Sequence, residues 1–261
     1  MPRIFDFTHA ILRRPGASAV KGLRAGGGPD PTFAGVAAEH AAYARALEAA
    51  GLELTVLDPL EDFPDALFVE DPALVFTAGA VLLNPGAPSR TGEAALLRPA
   101  LEQHFGQVLA LGEGHADGGD VLAMPDRVLI GLSARTDRIG AATLVRLLDQ
   151  FGLRAEVVET PSEVLHLKTA CSLIDEETVL ATRALAQSGI FPDYRVIEVP
   201  QAERGGANVL RVNEHLLVGA TYPAIADLLA NCGATVVQLE NREIAKIDAG
   251  FTCMSLRWRA A

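Results

Sequence analysis

Positive charge is scarce in this chain: 22 lysines and arginines stand against 33 aspartates and glutamates in 261 residues, a net charge of −11. A nucleic-acid partner needs a basic face to meet phosphates, so that class is excluded. An acidic protein is instead suited to attracting a small cationic substrate. Aromatic residues make up only 5% while hydrophobic residues reach 49%, so Ala, Val and Leu must fill the core. Cysteine occurs three times, at Cys171, Cys232 and Cys253. The odd count and the lack of C-x-x-C spacing argue against a disulfide framework or a zinc ribbon. No two histidines stand at helical ligand spacing, so no metal site is indicated. No run approaches about 18 uninterrupted apolar residues, and no membrane-spanning helix is expected. The opening Met1-Pro-Arg-Ile-Phe-Asp has an early acid and no apolar stretch, unlike a secretory leader. A cytoplasmic protein without a membrane partner is the expectation. The glycine-rich stretch 26–30 lacks the lysine of a phosphate loop. It reads as a mobile surface loop or as part of a lid.

What the chain does contain is a repeat. Strand-turn-strand units are read at residues 73–83, 120–132, 172–182 and 209–220. Helical periodicity follows at 33–50, 92–104, 137–151 and 223–231. Asp137 is placed as an N-cap, Gly51 and Gly152 as helix stops, and Pro223 in a first turn. A short β-rich run comes next, at 52–57, 107–111, 155–158 and 234–239. The fourth unit departs from the pattern, with at best a short helix at 183–190 before a strand at 195–199. Repeats of this length suggest radial repetition or a solenoid, and the lack of polar caps favours a closed ring. Residues 3–12 and 251–258 read as strands that pair and close it. No stretch resembles an interdomain linker, so residues 1–261 are expected to form a single domain.

Just before each hairpin stands a polar side chain: Glu70, Asp117, His166, Asn208 and Cys253, spaced 42 to 49 residues apart. Equal phase in a ring brings such residues to one end of one axis. Each has an ordinary explanation too. A lone cysteine in an apolar strand is usually core packing, and Cys253 differs from Cys171 and Cys232 only by its phase. His166, interrupting Val-Leu-His-Leu, reads by itself as a structural histidine. Asp117, in Asp-Gly-Gly-Asp, reads as a turn acid beside glycines that permit close backbone approach. Asp120 is the more structural member of that pair. His115 and His215 read as exposed loop residues. In Phe63-Pro-Asp-Ala-Leu-Phe-Val-Glu-Asp-Pro, turn chemistry explains any one acid. Three of them, Asp65, Glu70 and Asp71, in an apolar run require partners, for which a guanidinium is apt. Arg90 and Arg135 follow the second strands of adjacent repeats, a placement suited to clamping a carboxylate.

Together these motifs resemble the dimethylarginine dimethylaminohydrolases of the guanidine-modifying pentein superfamily. The resemblance covers essentially the whole chain and is strongest at residues 63–72, 85–90, 117–121, 130–136, 165–169, 206–208 and 246–255. It implies a five-bladed α/β propeller with pseudo-fivefold symmetry, in agreement with the repeat. It implies Cys253 as nucleophile, His166 as general acid and base, and Asp117 as the residue that orients the imidazole. Some bacterial relatives carry glutamate there, so aspartate is a shorter variant. Asp65 and Glu70 match acids that grip the substrate guanidinium, with Asp71 close by, and Phe68 matches an apolar wall. Arg90 and Arg135 match the residues for the substrate α-carboxylate. The main-chain carbonyls of Leu165 and Ile247 match those for its α-amino group. Leu23 matches a lid residue. Asn208 has no implied chemical step.

The reaction implied is hydrolysis of Nω-methylated arginine to citrulline and a methylamine through a covalent thiouronium on cysteine, without metal or organic cofactor. A small-molecule methylated arginine is then the partner, and a homodimer is compatible with the resemblance. An arginine deiminase or amidinotransferase type of pentein shares this machinery. A non-catalytic propeller that binds an arginine-like ligand is the alternative outside enzymes.

Overall fold

The protein is described by a computed structural model over residues 3–260. Met1, Pro2 and Ala261, the ends of the expected domain, lie outside the described residues. The chain runs through β1 (His9–Arg13), α1 (Phe33–Ala49), β2 (Glu53–Leu57), β3 (Ala73–Phe76), β4 (Gly79–Leu82), α2 (Arg98–His104) and β5 (Val108–Ala110). It continues through β6 (Val121–Ala123), β7 (Val128–Leu132), α3 (Arg138–Asp149), β8 (Ala155–Glu159), β9 (Cys171–Leu173), β10 (Thr178–Ala181), α4 (Arg183–Ala186) and β11 (Arg195–Glu198). It ends with β12 (Leu210–Val212), β13 (His215–Gly219), α5 (Pro223–Leu229), β14 (Thr235–Leu239), α6 (Arg242–Ala245) and β15 (Leu256–Trp258).

These strands form five three-stranded sheets. In each, an antiparallel pair is extended by a third strand parallel to the middle one. A parallel neighbour cannot be reached by a tight turn, so each crossover carries a helix. This is the pseudo-fivefold α/β propeller expected from the repeat. The middle strands β4, β7 and β10 are buried throughout, whereas the third strands β2, β8 and β14 are at least partly exposed at every position. A strand covered on both faces must be apolar along its length. That is the reason Gly-Ala-Val-Leu and Val-Leu-Ile-Gly-Leu show no alternation.

One sheet is made from both ends of the chain. β15 pairs antiparallel with β1, with Ile11 opposite Leu256 and His9 opposite Trp258, and β1 pairs parallel with β2. Trp258 stacks on His9 and packs against the rings of His104 and Phe105, with centroids 5.3, 5.1 and 4.9 Å away. The closing strand is thereby anchored in the neighbouring blade.

Local signals explain the ends of α1 and α3. Asp137 accepts a hydrogen bond from the Gly140 amide at the start of α3, and Thr32 does the same for Gly35 in α1. Gly51 and Gly152 follow these helices at φ of 93° and 72°, in the left-handed region. The expected helix at 92–104 is divided, with a 3-10 turn at Glu93–Leu96 before α2. Pro99 lies in the first turn of α2, where its missing N–H is tolerated. The last strand is shorter than expected: Thr252–Met254 curls into a 3-10 turn, and β15 starts at Leu256. His215, expected in an exposed loop, opens β13 and is half-buried. Among the described residues no helix is long and apolar enough to cross a membrane.

Trp258→Ala removes the anchor of the closing strand. It should destabilise the fold by about 3–5 kcal/mol, as for a large buried aromatic side chain. Urea unfolding reads this directly, and an unchanged midpoint would show that closure does not depend on this packing.

Candidate active site

Each repeat enters its hairpin through a short turn, and these turns carry the polar side chains. Asp117 precedes the 3-10 turn Gly118–Asp120, and His166 precedes the turn Leu167–Thr169, both with extended backbone. Cys253 lies inside the turn Thr252–Met254. His166 and Cys253 therefore stand on turns and not within strands as expected from sequence. Tertiary hydrogen bonds override the strand-like composition. The Glu70 amide donates to the Cys253 carbonyl at 3.2 Å, and the Thr252 amide donates to Asn208 Oδ1 at 3.1 Å.

The two glycines after Asp117 allow the turns to meet. A Cβ on Gly118 would lie 1.9 Å from the Glu70 carbonyl oxygen. A Cβ on Gly119 would lie 2.8 Å from His166 Nδ1 and 2.9 Å from Asp71 Oδ1. Any other residue would have to move the backbone at Gly118, and the His166 ring and Asp71 carboxylate at Gly119.

His166 Nε2 is 3.0 Å from Asp117 Oδ2. Asp117 is fully buried, accepts from the Gly86 amide at 2.7 Å, and donates its own amide to Thr136 Oγ1. Asp120 takes the structural part assigned from sequence. It accepts from Ser133, Thr136 and the Leu167 amide, which ties the turns of Asp117 and His166 together. Burial alone would lower the pKa of His166. The hydrogen bond to Asp117 and the charges of Asp71, Asp120 and Asp117 overcome it and raise the value to about 9. The imidazole is therefore protonated at neutral pH.

Cys253 is half-buried. Burial, then the carboxylates of Glu70 and Asp71, push its thiol up to about 12 against the opposing pull of the Gly250 amide and Lys168. The resting thiol is neutral. Cys253 packs beside the buried cluster that contains Phe68 and Ile247. Cys171 is fully buried, and its thiol donates to the Leu167 carbonyl, as its core reading implied.

The buried acids of the segment differ in their partners. Donor atoms of Asp71, Asp117 and His166 lie within 4.8 Å of one another, all three residues buried. That corner presents two carboxylates to a cation. Glu70, expected to grip the guanidinium, is already engaged. Its Oε1 meets Lys168 Nζ at 2.6 Å and Arg257 Nη2 at 3.2 Å, and its Oε2 accepts from Thr252 Oγ1 at 2.8 Å. Asp65 accepts from the Leu23 amide at 2.9 Å, and burial raises its pKa against the pull of Arg90. The carboxylates that converge on the imidazole are those of Asp71 and Asp117.

The two arginines differ as well. Arg90 is 3% exposed and donates to Glu93, to Asp71 at 2.5 Å and to the carbonyls of Asp65 and Phe68. It fixes Asp71 and the acidic segment. Arg135 is half-buried, with Nη1 3.8 Å from Asp117 Oδ2. Leu165 is half-buried and Ile247 buried. Among the described residues neither of their carbonyls accepts an intramolecular hydrogen bond. Leu23 is exposed on the segment that leads into the glycine-rich loop.

Lys168, Thr252 and Arg257 belong to this region and were missed in the sequence. Lys168 carried a usable signal. A lysine two residues after His166 in an apolar run is buried only when paired.

Comparisons with known proteins place the chain in a family. The arginine deiminase family profile matches residues 36–205. The N(G),N(G)-dimethylarginine dimethylaminohydrolase of Pseudomonas aeruginosa is 36% identical over 97% of this chain and 100% of its own length. The protein of the same name from Streptomyces coelicolor is 36% identical over 96% of each chain. A cysteine-to-serine mutant of the Pseudomonas aeruginosa protein, solved in complex with citrulline, superposes with a TM-score of 0.94 over 97% of this chain and 100% of that one. A dimethylarginine dimethylaminohydrolase histidine-to-glycine variant, solved as an adduct with S-methyl-L-thiocitrulline, superposes with a TM-score of 0.93 at 36% identity, covering 96% and 99% of the two chains. The N-terminal domain of ArgZ, a cyanobacterial arginine dihydrolase, shares the fold with a TM-score of 0.83 at 16% identity over 98% and 100%. On this footing the chain belongs to the guanidine-modifying pentein enzymes of the arginine deiminase family, among the dimethylarginine dimethylaminohydrolases.

Proposed function

We propose that this chain, as one catalytic unit, hydrolyses Nω-methylated L-arginine to L-citrulline and methylamine or dimethylamine. The observation that carries the reading is the corner where Asp71, Asp117 and His166 converge within 4.8 Å, near the thiol of Cys253. A guanidinium is a poor electrophile because its charge is shared by three nitrogens. Carboxylates on two sides hold it planar and oriented for attack. Arg135 meets the α-carboxylate, with Arg90 behind it, and the carbonyls of Leu165 and Ile247 take the α-amino group. Asp65 supports the lid through Leu23, and Phe68 walls the reacting end.

The bound cation offsets the carboxylate charges that hold the thiol neutral. Cys253 then loses its proton to solvent, since His166 already carries one. The thiolate attacks the guanidinium carbon and forms a C–S bond. The C–N bond to the methylated nitrogen breaks as imidazolium His166 protonates the departing amine. Nε2 is committed to Asp117, so Nδ1 is the nitrogen left to exchange protons. Neutral His166 next deprotonates water, which adds to the thiouronium carbon. The C–S bond breaks, and citrulline leaves with the thiolate regenerated.

Wild-type protein incubated with dimethylarginine, monomethylarginine and arginine should yield citrulline from the methylated substrates, and Cys253→Ser should yield almost none. Citrulline from none of the three sinks the reaction. Citrulline with ammonia from plain arginine alone favours a deiminase. Intact-mass spectrometry of trapped enzyme should place the adduct on Cys253, and an adduct on Cys171 or Cys232 overturns its role. His166→Ala should lower turnover at least about 100-fold, the low end for acid–base catalysis.

The acid form of His166 is present below about pH 9 and lost above it. Turnover should therefore decline as pH rises through that value. Asp117→Asn removes the charge and the charge-assisted part of the hydrogen bond that raise the pKa, so the declining limb should move to lower pH. A limb that stays in place in this variant would assign the titration to another group.

A further inference from the structure

Of the five side chains at equivalent phase, Asn208 has no part in the reaction above. We propose that Asn208 is a positioning residue for this chemistry: its amide ties the turn bearing Cys253 to the turn bearing His166 and holds Gly250 behind the nucleophile. The inference rests on the reaction proposed above.

The amide reaches both turns. Oδ1 accepts from the Thr252 amide at 3.1 Å, and Nδ2 donates to the Lys168 carbonyl at 2.8 Å and to Thr252 Oγ1 at 3.0 Å. Thr252 immediately precedes Cys253, and Lys168 shares a 3-10 turn that starts one residue after His166. A main-chain amide only donates and a carbonyl only accepts, so the orientation of the Asn208 amide is fixed from both sides. Thr252 Oγ1 gives its own proton to Glu70 Oε2. It can therefore only accept from Asn208. Three blades, entered at Glu70, His166 and Cys253, are linked through one amide in a fourth.

Packing adds a second role. A Cβ on Gly250 would lie 2.4 Å from Asn208 Cγ, so Asn208 sits directly against that main chain. The Gly250 amide and the ammonium of Lys168 both pull the Cys253 thiol towards the thiolate. Asn208 thus abuts one of these groups and bonds the backbone of the other. Glu70 and Asp71 are the charges that oppose them. Asn208 is buried and acts on the nucleophile through its neighbours. Aspartate is not equivalent there, because a carboxylate would face the Lys168 carbonyl with no proton to offer.

The test uses Asn208→Ala, Asn208→Asp, Thr252→Val and Thr252→Ser in the full chain. The rate of Cys253 alkylation by iodoacetamide near pH 8, mapped by mass spectrometry, needs no substrate. Asn208→Ala should slow alkylation about tenfold, equivalent to a rise of about one unit in thiol pKa. kcat should fall by a similar factor, with KM within about twofold of wild type, since the substrate contacts are intact. Asn208→Asp should be slower still. Thr252→Val should reproduce the loss, and Thr252→Ser, which keeps the hydroxyl, should recover most of the rate. Wild-type alkylation in a folded Asn208→Ala protein overturns the proposal, as does a raised KM with unchanged kcat. If Asn208→Ala does not fold, the Thr252 pair decides, and wild-type rates in Thr252→Val overturn it. A wild-type protein that yields no citrulline but shows this alkylation order rejects the reaction and keeps the positioning role.

Discussion

The constraint on which the site depends is the burial of several carboxylates around one axis. Asp65, Glu70, Asp71, Glu93, Asp117 and Asp120 are all buried. Isolated charges of this kind would not remain ionised in a protein interior. Each therefore has fixed partners: Arg90 lies between Asp71 and Glu93, Lys168 and Arg257 meet Glu70, and hydroxyls with a backbone amide hold Asp120. Asp71 and Asp117 share their cations with other groups. They form the corner where additional positive charge is most favourable, and a guanidinium supplies charge and N–H donors together. The buried arginine and lysine neutralise Glu93 and Glu70 and leave Asp71 and Asp117 beside the imidazole, where a further cation meets two carboxylates.

Propeller closure places these groups in register. The β1–β15 pairing fixes Leu256 opposite Ile11, and Cys253 is three residues upstream. The register places Trp258 opposite His9, where it stacks on the imidazole and packs against His104 and Phe105 of the next blade. The position of the nucleophile thus depends on pairing between the two ends of the chain. This explains why residues from separate repeats reach one site.

The blades were legible in the sequence because strands and helices have distinct periods, and caps such as Asp137 and Gly152 are local. The phase of Glu70, Asp117, His166 and Cys253 was legible for the same reason. The turns at Leu167–Thr169 and Thr252–Met254 were not, because their composition is that of strands. Partners distant in sequence, Asp120 for the first and Asn208 for the second, decide their shape. The division of labour among the acids was hidden in the same way. Nothing near Glu70 in sequence announces Lys168 or Arg257. Asp117 illustrates the converse, since the shorter acid is compatible with a 3.0 Å contact to the imidazole only because Gly118 and Gly119 bring the turns together. Those glycines were visible in the sequence, while the contact they permit was not.

Two thiols in this protein, Cys171 and Cys253, are both pushed up to about 12, so resting acidity does not distinguish them. The causes do. At Cys171 desolvation is the only influence that raises the value, and the nearby charge of Lys168 already opposes it. A ligand cannot remove desolvation from a fully enclosed atom. At Cys253 desolvation is joined by Glu70 and Asp71, whose effect is electrostatic. A cation bound against Asp71 counters that part directly, and Coulomb attraction in a site shielded from water is stronger than in bulk solvent. The thiol that a cation can activate is therefore Cys253. A nucleophile that becomes reactive through the charge of its substrate is protected from indiscriminate alkylation and oxidation while the site is empty, because both require the thiolate. The carboxylates that raise the pKa of Cys253 are in this sense part of its selectivity: they suppress the thiolate until the one class of molecule that can offset them arrives.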